Sequence, residues 1–390
     1  MSGAVVEAAQ EREIGRYDGG TPELGPTLLV VAGVHGNEPA GVAAAERVLA
    51  TLRERDLGLK GRLVALRGNL GALAAGRRFL GRDLNRGWSA ASIEATRARP
   101  RDERAPEDDE QLALIDAFLE VERSAHGPLV FVDLHTSSAT GSPFLCLADT
   151  IDNRKLGLMT GVPMILGIEE SLAGASLEWF ADRGIAALAV EGGQHESTAA
   201  IDNHEAVLWE LMTQLGMLPP GFVELEPHRA RLREAVGAAP PMVEITHRQA
   251  IEPGDGFRME PGFDNFSPVT RGQLLATDDS GAHRAPSACF VMLPLYQELG
   301  EDGFFLARRV RRVWHWSARW LRAASLWRLL PLLPGISRDP ADPDTLLADA
   351  RVAKRFMVEV FHLLGFRKSE RRGARLAFTR RRSRLENRTL

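Results

Sequence analysis

The chain has 390 residues, enough for one large domain or two to three ordinary ones, and its 44% hydrophobic and 26% charged residues are typical of a globular protein. The two cysteines, Cys146 and Cys289, exclude a disulfide framework and a four-cysteine zinc site. The sequence has no apolar run of the roughly 20 residues that a membrane span requires and no basic-then-apolar leader, so we expect a cytoplasmic protein.

The formal net charge of −4 conceals two parts of opposite charge. Residues 308–390 contain 21 basic and 7 acidic residues, a net charge of +14, whereas residues 1–307 contain 27 and 45, a net charge of −18. This asymmetry predicts that the two parts of the chain have different tasks.

The first predicted elements alternate between strand and helix. Residues 27–34 (TLLVVAGV) form a short apolar run that a glycine interrupts, which predicts a buried strand. Residues 38–57 predict a helix, because Pro39 suits a first turn and apolar residues recur every three to four positions. Residues 61–69 (GRLVALRGN) predict the next strand.

The same alternation continues to residue 195. The polar residues 92–109 predict a loop, and residues 107–122 predict a helix whose acidic start suits the helix dipole. Residues 127–138 (GPLVFVDLHTSS) and 184–195 (GIAALAVEGGQH) predict further buried strands. This order indicates an α/β fold with a mostly parallel sheet flanked by helices, in which sites form at the carboxyl ends of strands.

The composition changes twice later in the chain. From about residue 220, many Gly, Pro and Asp residues separate short alternating runs, which predicts a small β-rich module. From Arg308 the chain becomes basic and its pattern predicts helices. We therefore expect an α/β domain at 1–219, a β-rich module at 220–307 and a basic helical C-terminal extension at 308–390.

Three side chains suited to a metal ion follow predicted strands. His35 and Glu38 lie in one glycine-rich loop, and a pair of this kind by itself is just as typical of a loop without a ligand. His135 follows a different strand at the same end and favours the metal, because two imidazoles and a carboxylate suit zinc and leave a fourth position for water. Asp133 lies close enough in sequence to support a ligand histidine.

Glu191 ends an apolar strand beside two glycines. A carboxylate in that position is costly unless it is used or paired, and we predict that it acts as general base and then general acid in hydrolysis. The alternative is a capping or salt-bridged glutamate. His195, four residues on, is expected at the edge of the pocket rather than among the ligands.

Residues 77–88 (RRFLGRDLNRGW) concentrate arginines around Asp83 and Asn85. Guanidinium groups bind carboxylates through paired hydrogen bonds and polarise carbonyl oxygens without exchanging protons, as an acyl-amino-acid substrate would require. Taken by itself, this pattern favours a surface loop with ordinary ion pairs.

Five motifs occur in order: GVHGNEPAG (33–41), GN (68–69), RDLNR (82–86), DLHTSS (133–138) and EGGQH (191–195). The set resembles the succinylglutamate desuccinylase/aspartoacylase family, relatives of the zinc carboxypeptidases, over about residues 12–307. The resemblance implies a zinc-carboxypeptidase-like fold and a zinc-dependent deacylase that hydrolyses an amide bond of a small N-acylated amino acid or related compound.

The resemblance also implies one zinc ion per subunit and roles for particular residues. The implied groups are the zinc ligands His35, Glu38 and His135, the catalytic residues Glu191 and Arg78, and the substrate-binding residues Asn85, Arg86, Arg78 and Tyr296. Arg78 would polarise the scissile carbonyl, and Asn85 with Arg86 would hold a substrate carboxylate. Tyr296 would reach the pocket from the later β-rich stretch.

Two features depart from the family pattern. Some relatives carry an arginine ten residues before the catalytic glutamate, where this chain has Ala181, and the nearest arginine here is Arg183. Recognition of an acidic substrate side chain is therefore not implied. The basic segment after Arg308 has no counterpart in the family pattern.

Residues 308–330 hold four of the seven tryptophans. One predicted helical face contains Val310, Val313, Trp314, Ser317, Leu321 and Ala324. Such a helix suits an anionic membrane or a partner surface, but packing on the acidic body or on a second subunit of a homo-oligomer is favoured, because the charges of the two parts are complementary. Nucleic-acid binding is not expected, since no recognised module is present.

Two other functions compete with the deacylase. A metallocarboxypeptidase would share the metal site and act on peptides. A catalytically silent membrane- or partner-binding protein would use the tryptophan-rich segment alone, although the sequence shows no damage to the metal residues or to Glu191.

Overall fold

The computed structural model of the chain describes residues 11–19, 25–56, 58–172, 174–310, 320–322, 326–349, 360–361, 364–373 and 375–380. Its strands are β1 (Glu13–Asp18), β2 (Thr27–Ala32), β3 (Arg62–Arg67), β4 (Leu129–Ser137), β5 (Phe144–Leu147), β6 (Met164–Leu166), β7 (Ala186–Gln194), β8 (Met242–Ala250), β9 (Arg258–Met259), β10 (Ser267–Val269), β11 (Leu274–Asp278), β12 (Gly281–Arg284), β13 (Cys289–Met292), β14 (Asp302–Arg309), β15 (Ile336–Arg338), β16 (Thr345–Asp349), β17 (Phe366–Arg372) and β18 (Arg375–Arg380). Its α-helices are α1 (Ala40–Arg55), α2 (Leu70–Ala75), α3 (Ala90–Ala98), α4 (Pro106–Ser124), α5 (Ile151–Thr160), α6 (Ile168–Ser171), α7 (Ser176–Asp182), α8 (Thr198–Gln214) and α9 (Leu225–Val236). Two 3-10 helices span Arg101–Glu103 and Leu326–Leu332.

The central sheet is mixed. Within the described residues, eleven strands pair in the order β1-β3-β2-β4-β7-β5-β6-β8-β14-β13-β10. Strands β3, β2, β4 and β7 run parallel, whereas β1 and β5 pair antiparallel with β3 and β7. The prediction of an α/β fold with a mixed, mostly parallel sheet flanked by helices is confirmed.

Alternate residues of the buried strands serve opposite faces of the sheet. In β2, Leu28 and Val30 pack in one apolar cluster with the buried residues of α1 and α8. Leu29 and Val31 point the other way and pack with those of α4. This period of two explains why the strand is apolar at every position from Leu28 to Ala32, since both of its faces are covered by helices.

The β-rich part continues the central sheet. β8 pairs parallel with β6, and β14, β13 and β10 follow as antiparallel strands. A separate three-stranded sheet of order β12-β11-β9 lies beside them within the described residues. The β-rich module is therefore present. The boundaries at 219/220 and 307/308 stay a prediction.

The loop predicted at 92–109 is wrong in its first part, which belongs to α3. The side chain of Ser89 accepts a hydrogen bond from the Ser92 amide at 3.2 Å and caps the helix. Ile93 and Thr96 are buried against the body. The prediction failed because this helix buries few apolar side chains, so its sequence looks like that of a loop. The N-cap residue and two buried positions are enough to stabilise a short helix.

The helical prediction for 308–390 is wrong for much of the described extension, which forms an antiparallel sheet of order β15-β16-β18-β17 beside the 3-10 helix Leu326–Leu332. Phe366 and Phe378 are buried in its core. Short apolar runs separated by Gly and Pro favour strands over long helices. The predicted face positions Val313, Trp314, Ser317 and Ala324 lie outside the described residues.

The extension contacts the acidic body through a buried ion pair. The Arg322 Nη2 atom lies 3.0 Å from the Asp149 Oδ2 atom, and Arg154 Nη2 donates to the same oxygen at 2.8 Å. This is a contact of the kind predicted for the charge asymmetry. Among the described helices, none is long and apolar enough to cross a lipid bilayer.

Candidate metal centre and active site

The loop after β2 carries the first two candidate ligands, His35 and Glu38. Gly36 lies between them and donates its backbone N–H to the Arg78 carbonyl at 3.2 Å. A Cβ atom at Gly36 would lie 2.0 Å from the backbone of Ala72 in α2, so only glycine permits this close approach. The glycine-rich motif therefore lets the loop pack on α2 while both ligands face the carboxyl end of the sheet.

His35, Glu38 and His135 converge on one point. His35 Nδ1 lies 2.8 Å from Glu38 Oε1, and His135 Nδ1 lies 3.1 Å from Glu38 Oε2. The ligand atoms of the three residues lie within 4.8 Å of one another, and all three side chains are buried. The donor set, two imidazole nitrogens and a carboxylate, fits a divalent metal ion such as zinc.

A carboxylate stands behind each candidate ligand histidine. Asp83 Oδ1 lies 3.1 Å from His35 Nε2, and Asp133 Oδ2 lies 3.0 Å from His135 Nε2. Ser176 donates its hydroxyl to Asp133 at 3.1 Å. The Asp83 carboxylate holds the Nε2 hydrogen of His35, and the negative charge of Asp133 favours a proton on Nε2 of His135, which leaves both Nδ1 atoms as acceptors for a cation.

The electrostatics of the group favour a bound cation. Burial by itself would raise the pKa of Glu38, but His35 and His135 outweigh it and hold that pKa well below its usual range. Burial would lower the pKa of His135, but Asp133 and Glu38 raise it well above the usual value. The negative charge beside the site therefore comes from the Glu38 carboxylate and from Asp133 behind His135, and a metal cation in place of the His135 proton would be stabilised by both.

Glu191 lies opposite His135 in the ladder that pairs β4 with β7. Burial raises the pKa of Glu191 to about 7, and the Glu38 carboxylate adds to this rise against the lowering effect of His135. Its Oε2 atom has no hydrogen-bond partner among the described residues. A carboxyl group with such a pKa exchanges a proton near neutral pH, which is what a general base and acid requires.

A cavity of about 150 Å³ opens beside these residues, and Glu191, Arg78 and the three candidate ligands line it. Arg78 Nη2 donates to Asp83 Oδ2 at 3.1 Å, and its Nη1 lies 3.5 Å from Glu38 Oε1. Burial would lower the Arg78 pKa, but Asp83 and Glu38 raise it, so the guanidinium stays charged. The cavity thus holds a fixed cation at its metal end.

Asn85 and Arg86 also line the cavity. Asn85 Oδ1 accepts from the Ser176 amide at 2.9 Å, which leaves its NH2 group as the end able to donate to a substrate. Arg86 Nη2 lies 3.1 Å from Asp302 and its Nε lies 3.3 Å from Glu301. A substrate carboxylate at Arg86 therefore competes with two protein carboxylates.

The loop that carries these residues is held by Glu107, the second residue of α4. Its carboxylate accepts the backbone N–H groups of Leu80, Gly81 and Arg82 at 2.6, 2.9 and 3.1 Å. Burial would raise the Glu107 pKa, but these three hydrogen bonds lower it. Glu107 is a positioning residue that sequence analysis missed, because its acidic helix start is explained equally well by the helix dipole.

His195 lies on the cavity wall, outside the metal group. Its Nδ1 is 2.8 Å from Thr136 Oγ1 and its Nε2 is 3.2 Å from Gln297 Oε1. Gln297 also accepts from Asn37 at 3.0 Å, so it ties the loop after β13 to the ligand loop. Sequence analysis gave no signal for Gln297, because this contact joins residues 260 positions apart.

The expectation that Tyr296 reaches the pocket is corrected by the structure. Its hydroxyl donates to the Glu260 carbonyl at 2.9 Å and accepts from the Phe263 amide at 3.0 Å. Its side chain faces the β-rich module, and its neighbours Leu295 and Gln297 line the cavity instead. The hydroxyl is satisfied in that module, which removes any need for it to turn toward the site.

Apolar side chains also line the cavity, among them Ile168, Leu172 and Leu177, together with the acidic neighbours Glu169 and Glu178. Ala181, the position where some relatives carry arginine, is buried in α7. Arg183 pairs with Glu122 at 2.6 Å and does not line the cavity. Among the described lining residues, Arg78 and Arg86 are therefore the arginines that a substrate meets.

His204 is a buried residue that sequence analysis also missed. It lies on α8, is fully buried, and neither ring nitrogen has a hydrogen-bond partner among the described residues. A Cβ atom at Gly192 would lie 2.5 Å from its Nε2 atom. Burial and the neighbouring His135 lower the pKa of His204 to about 4, so its ring is neutral and packs directly behind the residue that follows Glu191.

The fold and the site define an α/β protein with a candidate metal centre at the carboxyl edge of its sheet. Residues 24–194 match the catalytic-domain model of the succinylglutamate desuccinylase/aspartoacylase family. A succinylglutamate desuccinylase of Burkholderia thailandensis is 26% identical over 267 residues, which cover 65% of this chain and 70% of that protein.

Solved structures of similar proteins show the same fold. A succinylglutamate desuccinylase from Vibrio parahaemolyticus has a TM-score of 0.52 at 15% identity and covers 74% of this chain and 83% of its own. Murine aminoacylase 3 has a TM-score of 0.53 at 15% identity, covering 73% and 95%. Residues 24–194 are thus similar to the catalytic domain of the succinylglutamate desuccinylase/aspartoacylase family, a family of amide-bond deacylases, and the chain shares the fold of these solved structures.

Proposed function

We propose that this chain is a zinc-dependent deacylase that hydrolyses the amide bond of a small N-acylated amino acid or a related compound. The observation that carries the proposal is the convergence of His35, Glu38 and His135 within 4.8 Å, with Glu191 on the adjacent strand. This donor set suits one zinc ion per chain and leaves a position open for water. The name of the Burkholderia relative supports an N-acyl amino acid as the substrate class.

The chemistry divides between the metal and the residues around it. Bound there, zinc would polarise the amide carbonyl and lower the pKa of water, to about 7 in favourable sites. Glu191 accepts the proton as the water attacks the carbonyl carbon, and then donates it to the leaving nitrogen. Arg78 stabilises the negative charge that develops on the carbonyl oxygen, a contribution of about 3–4 kcal/mol for a well-placed donor. The products are a carboxylate and an amine.

Asn85 and Arg86 hold the carboxylate of the amino-acid half in this proposal. The rest of the lining supports a substrate whose side chain is not acidic, because Ile168, Leu172 and Leu177 are apolar, Glu169 and Glu178 are acidic, and Ala181 supplies no cation. Acidic residues Glu301 and Asp302 beside Arg86 further disfavour a second carboxylate. We expect N-acyl derivatives of apolar amino acids to be hydrolysed faster than those of aspartate or glutamate.

The direct test of the base is Glu191→Gln, with Glu120→Gln as the matched control, since Glu120 is exposed on α4. Glu191→Gln should retain zinc and lose about 100- to 10,000-fold in kcat, whereas Glu120→Gln should keep wild-type activity. Undiminished amidase activity with zinc retained rejects the assignment. Faster turnover of short peptides than of N-acyl amino acids would favour the carboxypeptidase. The cytoplasmic location and a homo-oligomer stay predictions.

A further inference from the structure

A ridge of exposed leucines runs along the 3-10 helix Leu326–Leu332. Residues three apart lie above one another in a 3-10 helix, so Leu326, Leu329 and Leu332 share one face, which we call the leucine ridge. Their exposed fractions are 39%, 54% and 79%. Trp327 and Leu330 share another face of the same helix and are buried in the core of the extension. The helix is therefore fixed by one apolar face while a second apolar face meets solvent.

Exposed apolar side chains concentrate in this one segment. Of the nine large apolar side chains exposed among the described residues, five lie between residues 320 and 333: Trp320, Leu333 and the three leucines of the ridge. Single exposed leucines on a protein surface need no explanation, but a cluster of this kind marks a contact surface.

The stretch of sequence that contains the leucine ridge is basic. Residues 308–338 contain eight arginines and no acidic residue, and Asp339, Asp342 and Asp344 follow. Among the arginines that the structure describes, Arg308 pairs with Glu244 at 2.9 Å. Arg322 is buried in its ion pair with Asp149 and anchors the extension to the body. Arg328, between two leucines of the ridge, and Arg338 are exposed, and both guanidinium groups lie over the Trp327 ring at 5.7 and 6.0 Å.

We propose that the leucine ridge and its arginines bind the surface of an anionic lipid bilayer. Leucines that enter the boundary between headgroups and acyl chains lose water contact, and guanidinium groups beside them meet lipid phosphates, so both features of the surface are complemented at once. A second copy that docked symmetrically would bring the same arginines together without an acidic partner. This contact places the catalytic body at the membrane surface.

Co-sedimentation of the full chain with vesicles tests this proposal. The protein should pellet with vesicles of equal parts phosphatidylcholine and phosphatidylglycerol, and several-fold less with pure phosphatidylcholine. Leu329→Ser should lower the partition coefficient onto the anionic vesicles by about tenfold or more, because it removes a leucine side chain that the bilayer would bury. Leu158→Ser is the matched control, since Leu158 is 53% exposed on α5 and outside the surface.

The melting temperature and the amidase activity in solution serve as controls for correct folding. Both variants should match the wild type in these two measurements. Failure of the wild type to pellet with the anionic vesicles, or equal pelleting of Leu329→Ser, overturns the proposal. Dimerisation in lipid-free sedimentation velocity that Leu329→Ser abolishes also overturns it, because the leucine ridge would then belong to an interface between copies of the chain.

Discussion

Replacement of Glu191 by glutamine should stabilise the metal-free protein, and only at neutral and alkaline pH. The folded pKa of Glu191 is about 7, against 4.5 in the unfolded chain. Between those values the folded state binds the proton that the unfolded state releases, so the wild-type free energy of unfolding falls as the pH rises from 4.5 to 7. The difference between these two pKa values corresponds to a loss of about 3 kcal/mol in the free energy of unfolding above pH 7, and of less than about 1 kcal/mol at pH 5.

Urea denaturation of chelator-treated protein at pH 5 and pH 8 measures this difference. The free energy of unfolding of Glu191→Gln should exceed that of the wild type by about 3 kcal/mol at pH 8 and by little at pH 5, because glutamine has no charge to bury. Glu120→Gln should show no such pH dependence. An equal effect of Glu191→Gln at both values would refute the reasoning, since the gain would then come from packing rather than from a buried negative charge.

Three further substitutions test separate parts of the site. Arg78→Ala should lower kcat by about 100- to 1,000-fold with a smaller change in KM, because its charge acts on the developing oxyanion; steady-state kinetics that showed only a raised KM would contradict this. Asp133→Asn should weaken zinc affinity by about 10- to 100-fold in chelator competition, because it supports His135; unchanged affinity would exclude that support. Gly192→Ala should lower the free energy of unfolding, measured by urea denaturation, by about 1–3 kcal/mol, because its Cβ atom would lie 2.5 Å from the His204 ring. If the effects of Gly192→Ala and His204→Ala on the free energy of unfolding were strictly additive in the double variant, the clash would be excluded.

The candidate ligands could be predicted because each lies near or just beyond the carboxyl end of a strand that is apolar on both faces. Parallel neighbours end at the same edge of a sheet, and the structure pairs β2 with β4 and β4 with β7 in this way. His135 and Glu191 occupy paired positions on adjacent strands. Strand order itself was not required for the prediction, since each parallel strand delivers its end residue to the same edge.

Apart from Asp133, the supporting residues could not be predicted, because their partners come from distant segments. Asp83 lies 48 residues from His35, and its motif contains enough arginines to explain a carboxylate without any histidine. Gln297 has no chemical signal of its own. Tyr296 misled the prediction in the opposite direction, because its hydroxyl looks suited to a site and is satisfied by backbone groups of the β-rich module.

The extension shows how two periods compete in one sequence. Its arginines and apolar residues fit a helical repeat, but Phe366 and Phe378 belong to neighbouring strands whose apolar positions meet in one core. The turn after β17 contains Gly373 with a φ of 64°, a conformation that glycine permits. Non-local pairing of strands therefore overrides the local helical pattern. The strands of the extension are too short for their sequences to show a clear alternation of apolar and polar residues.

Metal content of purified protein, measured by inductively coupled plasma mass spectrometry on the wild type and two histidine variants, tests the central claim most directly. The account predicts about one zinc ion per chain in the wild type and in His126→Ala, whose side chain is exposed, and a loss of zinc in His135→Ala. Full zinc content in His135→Ala, or an active wild type free of divalent metal, would contradict it.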